Sequence, residues 1–225
     1  MRKWGIVISV FYAVIVLGLL LPAAIPLGGW GGPFSQEFYG DLHDFYSMGL
    51  VWIPIAAVLT GQAALLFLSV DTSFKKLRPR THIAVSVTVV SMLVAMLAVA
   101  VIYCVEAAVR GDDFGNGYNL GAPAGMFELW GALWVLWGIV FYLYFRNSSR
   151  VTEQAVSWLL KGSVLELLIA VPCHVIVRRR HDCSAPVATS FGIVTGIAVM
   201  LLCFGPSVLF LFKKRLDGYA GHKQV

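Results

Sequence analysis

The chain has 225 residues, of which 59% are hydrophobic and 13% charged. A typical soluble domain is roughly 45–50% apolar and about 25% charged. One water-soluble core of this size has no room for the apolar excess, so the composition excludes a soluble enzyme and a disordered chain and predicts an integral membrane protein. The net charge of +5 does not indicate nucleic-acid binding, because the basic residues form short clusters between apolar runs.

Six apolar stretches are long enough, or nearly so, to cross a hydrocarbon layer of about 30 Å as helices. Lipid offers no partner to free backbone N–H and C=O groups, so such runs are expected to be helical. The fold class predicted is an all-α, polytopic transmembrane helix bundle that forms a single domain over residues 1–225. The six predicted spans are about 4–24, 49–70, 82–105, 126–145, 155–177 and 188–212.

The distribution of lysine and arginine predicts the orientation of the spans. With six spans and an inner N-terminus, all but four of the 17 basic residues lie on the inner side. The four on the outer side are Arg110, Arg178, Arg179 and Arg180. We therefore expect both termini in the cytoplasm and the chain in a plasma membrane or a bacterial inner membrane.

The three consecutive arginines leave an alternative topology open. If the fifth apolar run is a re-entrant segment, Arg178–Arg180 become cytoplasmic and the C-terminal basic residues lie outside. That arrangement leaves five basic residues outside instead of four. Charge alone does not separate five spans plus a re-entrant segment from six spans, but the length of the fifth run favours six.

Glu166 is the main candidate for a functional residue within the membrane. It is eight residues from both Trp158 and His174, or about 12 Å along a helix from each. A carboxyl group at that depth is expected to face the bundle and to be protonated or paired. One interpretation is a proton or cation site; the other is a neutral carboxyl hydrogen-bonded to a serine, a threonine or Gln62 on a neighbouring helix.

Several groups that can bind metals or undergo redox chemistry are predicted to lie at similar depth near the outer face. Imidazole and thiolate are ligands for Zn, Cu and Fe, and haem iron commonly takes histidine. Their spacing matches no known ligand pattern, so the metal is unknown and the sequence requires no cofactor. A disulfide between the cysteines at 173 and 183 and ordinary interface positions are the alternatives. The candidate cluster comprises His43, Cys104, Cys173, His174, His181 and Cys183.

The arginines at 178–180 have two interpretations. Guanidinium groups suit phosphate and carboxylate, which predicts contact with lipid headgroups, an anionic solute or an acidic partner. The alternative is pairing with the acidic outer loops, at Asp41, Asp44, Asp112 and Asp113.

Gly192 and Gly196 form a G-x-x-x-G pattern in the sixth span. Small residues at this spacing allow close contact between helices. The contact is expected within the bundle, with a membrane-protein partner, or with a second copy of the chain. The lipid bilayer is the other expected partner.

Three functions follow from these features. The first hypothesis is a non-enzymatic membrane component that assembles with partners, because the loops are short and no catalytic constellation is visible. The second is a small transporter or ion-coupled permease that uses Glu166, with Gln62 as a further polar group. The third is a haem- or metal-binding redox subunit with its site among the outer histidines and cysteines.

Overall fold

The computed structural model describes residues 2–28, 35–70, 80–111, 113, 123–146, 151–182 and 185–222. Regular structure within these ranges is helical throughout. Six helices there are long and apolar enough to cross a bilayer, which confirms the predicted all-α polytopic bundle. These spans are Gly5–Gly28, Gly49–Leu68, Ile83–Arg110, Gly125–Phe145, Val151–Arg179 and Ala185–Gly205.

The first span consists of α1 and α2, which are joined by a π-helical turn at Val16–Leu20. A short helix, α3, follows before the second span, and a 3₁₀ turn at Gly49–Val51 leads into α4. The helices are α1 (Arg2–Ile15), α2 (Leu21–Gly28), α3 (Gln36–Ser47), α4 (Trp52–Val70), α5 (Arg80–Arg110), α6 (Pro123–Phe145), α7 (Val151–Arg179) and α8 (Ala185–His222).

The fifth apolar run is one continuous helix. α7 extends over 29 residues and passes through Pro172 without a break, which gives it a length of about 43 Å. A re-entrant segment has to reverse direction inside the membrane, and α7 does not. The alternative of five spans plus a re-entrant segment is therefore wrong.

The segment between the first two spans contains a helix that the sequence did not predict. The side chain of Ser35 caps α3 by accepting a hydrogen bond of 3.0 Å from the backbone N–H of Phe38. At the other end of α3, the Tyr46 hydroxyl donates to the carbonyl of Leu17, within the π-helical turn. Burial raises the pKa of the Tyr46 phenol above its ordinary value of 10.0, so the hydroxyl remains a donor. The side chain of Tyr46 thus attaches α3 to the first span.

α5 lies at the centre of the bundle and contacts α4, α6, α7 and α8. The tryptophans of α6 attach that helix to α5: Trp130 Nε1 donates to the carbonyl of Met92, and Trp134 Nε1 to that of Thr88, each at 3.1 Å. These two tryptophans therefore serve packing. The opposite face of α6 is exposed along the helix.

Tyr12 connects the first and last spans. Its side chain is buried, and its hydroxyl donates a hydrogen bond of 2.8 Å to the carbonyl of Ala198 on α8. Replacing Tyr12 by phenylalanine is expected to destabilise the bundle by about 1 kcal/mol through loss of this bond. The midpoint of unfolding in detergent micelles measures the effect, with Tyr142→Phe at an exposed phenol as the control. Equal stability of the two variants would contradict the role assigned to Tyr12.

Candidate functional site

Glu166 is positioned by α7 at the junction of three helices. It is the sixteenth residue of this 29-residue helix, and its side chain is 0% exposed. The carboxyl group faces α8 at Gly196, where a Cβ atom would lie only 2.8 Å from Oε2. The absence of a side chain at Gly196 is therefore what gives the carboxyl group its space.

Neither oxygen of Glu166 has a hydrogen-bond partner among the residues that the structure describes. The interpretation that Glu166 is bonded to a serine, a threonine or Gln62 is therefore wrong. A buried polar group without a partner is costly, and an unpaired carboxylate is far more costly than a neutral carboxylic acid. The geometry thus favours the protonated form of Glu166.

Buried hydroxyl groups on α7 and α8 differ from the Glu166 carboxyl group because they have hydrogen-bond partners. Ser163, Thr189 and Ser190 each donate to a carbonyl three residues earlier in their own helix, at 3.0, 3.1 and 2.8 Å. Serine and threonine can satisfy themselves in this way because their hydroxyl groups lie close to the preceding turn. Glu166 makes no equivalent bond to its own helix, since neither of its oxygens has a partner among the described residues.

Gly192 provides space for a second side chain, one turn of α8 away from Gly196. A Cβ atom on Gly192 would lie 2.3 Å from Cys104 Sγ and 3.6 Å from the Cβ atom of Ala170. Cys104 comes from α5, is 0% exposed, and places its sulfur 4.0 Å from the carbonyl of Ala188 on α8. Both glycines of the G-x-x-x-G pattern therefore make contacts within the chain.

Gln62 is the second intramembrane polar candidate. It is buried on α4, with 2% of its surface exposed, and it is not hydrogen-bonded to Glu166. The structure therefore does not join the two intramembrane polar candidates by a hydrogen bond.

The structure brings together only part of the predicted His/Cys cluster. Cys104 and Cys173 pack in one small cluster with Ala170. His174 instead pairs with α8, its Nδ1 atom lying 2.8 Å from Thr189 Oγ1.

The remaining members of that cluster are elsewhere. His43 is exposed on α3 beside Asp44, and His181 is exposed just beyond α7 with a φ of 59°. Cys183, with its predicted disulfide to Cys173, lies outside the described residues. In the described part of the chain, no group of three His, Cys, Asp or Glu residues is placed to share a metal ion.

The three arginines have different environments. Arg180 donates to the carbonyl of Ala108 near the end of α5, where carbonyl groups lack intrahelical partners. Arg178 and Arg179 are exposed in the last turn of α7, where the helix dipole favours cations.

The expected pairing of these arginines with outer acidic residues is not seen among the described residues. The ion pairs found there join Arg110 to Glu106 at 3.0 Å and His43 to Asp44 at 3.6 Å. Asp112 lies outside the described ranges.

Sequence reasoning found Glu166 but missed the residues that surround it. It treated Gly192 and Gly196 as a packing pattern and Cys104 as an outer-face group, whereas Gly196 lies against the carboxyl group of Glu166 and Gly192 lies against Cys104. The four-residue spacing of the two glycines on α8 equals the spacing of Glu166 and Ala170 on α7, and this match was the available sign that the two pairs contact each other. The register between α7 and α8 was needed to align the two pairs.

No protein-family model, no curated protein and no solved structure matches this chain.

Proposed function

We propose that this chain is a small, non-enzymatic, ion-coupled permease in which Glu166 binds the coupling ion. The observation that carries the proposal is a fully buried carboxyl group at the middle of a membrane-spanning helix, with no hydrogen-bond partner for either oxygen in the part of the chain that the structure describes. Ionisable residues at this depth usually mark ion or substrate pathways. The proposal includes a cytoplasmic location for both termini, which the clustering of lysine and arginine supports.

The surroundings of Glu166 support an ion-binding role over a packing role. A carboxyl group contributes nothing to packing that a methionine or leucine would not supply, and it leaves two polar atoms unsatisfied. Gly196 keeps the α8 backbone close to those atoms. A buried carboxyl group that destabilises the folded structure is explained if the protein uses that group in another conformational state.

Solute-driven currents test this proposal in vesicles adsorbed on a solid-supported membrane. Amino acids, organic acids, sugars and amines are added one at a time, with gradients of H⁺, Na⁺ or K⁺. We expect the wild type to give a current with at least one solute, and Glu166→Gln to reduce it by about tenfold or more because the ionisable group is lost.

Glu128→Gln is the matched control, because Glu128 is an exposed glutamate on α6. It is expected to give the wild-type current. A Glu166→Gln protein with full current, or a wild type that gives none under any gradient, would contradict the proposal.

The second candidate is a membrane component that assembles with a partner. The surface available to a partner is the outward face of α6, where Val135, Ile139 and Leu143 are each more than half exposed at four-residue spacing; lipid covers this face wherever no partner does. Cross-linking in native membranes tests this candidate. We expect a cross-linked product that contains a second protein, and we expect this product to disappear when the residues of this face are replaced by smaller ones.

A further inference from the structure

We propose that the ion bound by Glu166 is a proton, and that its release separates α8 from α7 at the contact made by Gly192 and Gly196. The inference rests on the proposed function, since it names the ion and the moving contact for the same site. It has two parts, the identity of the ion and the place of the movement, and each is tested on its own.

The ligands available at Glu166 favour a proton over a metal cation. Hard cations in proteins are held by about six or more oxygen atoms, whereas Glu166 offers two oxygens. Its closest surroundings are the bare backbone at Gly196 and the side chain of Leu167, whose Cδ2 atom lies 3.0 Å from the Cβ position of Gly196. The thiol of Cys104 is a ligand for soft metals, not for Na⁺ or K⁺. A proton needs a single oxygen and no further ligand.

Among the described residues no cation is paired with Glu166: Lys161, five residues earlier on α7, is exposed, and Arg110 near the end of α5 pairs with Glu106. The titratable side chain of α5 that interacts with Glu166 is Cys104, which in turn interacts with Cys173 of α7. α4 carries no charged residue, and α8 carries none from 185 to 212. The charged residue of α6 is Glu128, near the start of that helix, whereas α6 contacts α7 near its other end, through the rings of Phe141 and Trp158. A carboxylate in the closed structure would therefore remain unpaired, and it gains most from admission of water.

We place the admission of water at the α7–α8 contact. On the α8 side, the bare backbone of Gly196 lies against Oε2 of the carboxyl group, so movement of that helix away from α7 is expected to expose this oxygen to water. The same displacement uncovers the sulfur of Cys104, which lies over Gly192 one turn away. Cys104 is therefore a built-in reporter of the separation.

A hydrophobic carbodiimide tests the identity of the ion, because dicyclohexylcarbodiimide reacts with protonated carboxylic acids in apolar surroundings. The wild type in vesicles is labelled at a series of pH values in NaCl, KCl or choline chloride, and the labelled residue is identified by peptide mass spectrometry. We expect labelling of Glu166 that falls about tenfold per pH unit above its midpoint, as for one proton, and equally in all three salts. Glu166→Gln removes the label, and Glu128→Gln retains it.

Two results would overturn the proton assignment. Protection of Glu166 by Na⁺ or K⁺ would show that the site binds a metal cation, which leaves the permease proposal standing. Labelling that is absent from Glu166, or that does not change with pH, would show that no proton equilibrates there. The vesicle currents are measured independently, so failure of the ion assignment is distinguishable from failure of the proposed function.

Alkylation of Cys104 by N-ethylmaleimide tests the movement. The protein carries alanine at its other three cysteines, and each rate is divided by the rate for the same protein unfolded in dodecyl sulfate at the same pH. This ratio removes the ordinary increase in thiol reactivity with pH. We expect it to rise several-fold across the pH range in which carbodiimide labelling is lost, and to stay flat in Glu166→Gln. A ratio that rises equally in both proteins, or in neither, would overturn the separation at this contact.

Discussion

Replacing Gly192 by alanine is expected to destabilise the bundle by about 1–3 kcal/mol, as overpacking of a filled core commonly does. The added methyl group would lie 2.3 Å from Cys104 Sγ, and the sulfur cannot rotate into open space because its side chain is 0% exposed. Either α8 moves away from α5 or Cys104 adopts a poor rotamer. Reversible unfolding in mixed detergent micelles gives the change in free energy.

Removing the sulfur atom should reverse most of this loss. In the double variant Gly192→Ala with Cys104→Ala, the two methyl groups share the space that the sulfur occupied, so the cost of the glycine substitution should be smaller than in the wild-type background. Gly131 on α6 is the matched control, since a Cβ atom there meets nothing within 4 Å. Alanine at 131 is expected to be neutral or slightly stabilising. Equal effects at 192 and 131, or no relief from Cys104→Ala, would contradict this account of the contact.

The spans could be predicted from the sequence because length and apolar character suffice to identify a membrane-crossing helix. Their ends could not, because tertiary contacts extend them. The third span was predicted to end near residue 105, whereas α5 continues to Arg110. The Glu106–Arg110 ion pair lies within this extension, and Arg180 from α7 supplies a donor to the carbonyl of Ala108.

α3 shows a different limit of sequence reasoning. Its residues mix glycine, acidic and aromatic side chains, and such a segment has no helical preference strong enough to identify. The hydroxyl of Tyr46 gives it a fixed position by bonding to Leu17, a residue distant in sequence. Neither that contact nor the π-helical turn that supplies the carbonyl can be derived from local composition.

The depth of Glu166 was predictable, but its isolation was not. Counting residues from Trp158 and His174 placed it near mid-membrane, and α7 has it at its midpoint. Whether a serine, a glutamine or a glycine faces it depends on how α7 and α8 are aligned, which sequence spacing within one helix does not specify. The alignment opposes Glu166 to Gly196, so the candidate site consists of an unpartnered carboxyl group and a bare backbone.

Replacing Glu166 by methionine is expected to stabilise the protein by about 1–3 kcal/mol while abolishing solute-driven current, because the substitution removes two unsatisfied polar atoms and keeps the length of the side chain. Glu166→Gln should gain less stability, since the amide is equally unpartnered. Unfolding midpoints in detergent give the stabilities, and Glu128→Met, at an exposed glutamate, controls for added hydrophobicity. A destabilised methionine variant would mean that Glu166 has a partner in the folded protein and that the isolation of its carboxyl group is wrong. Higher stability with loss of current would instead show that the carboxyl group lowers the stability of the fold and is needed for function, as expected of functional residues.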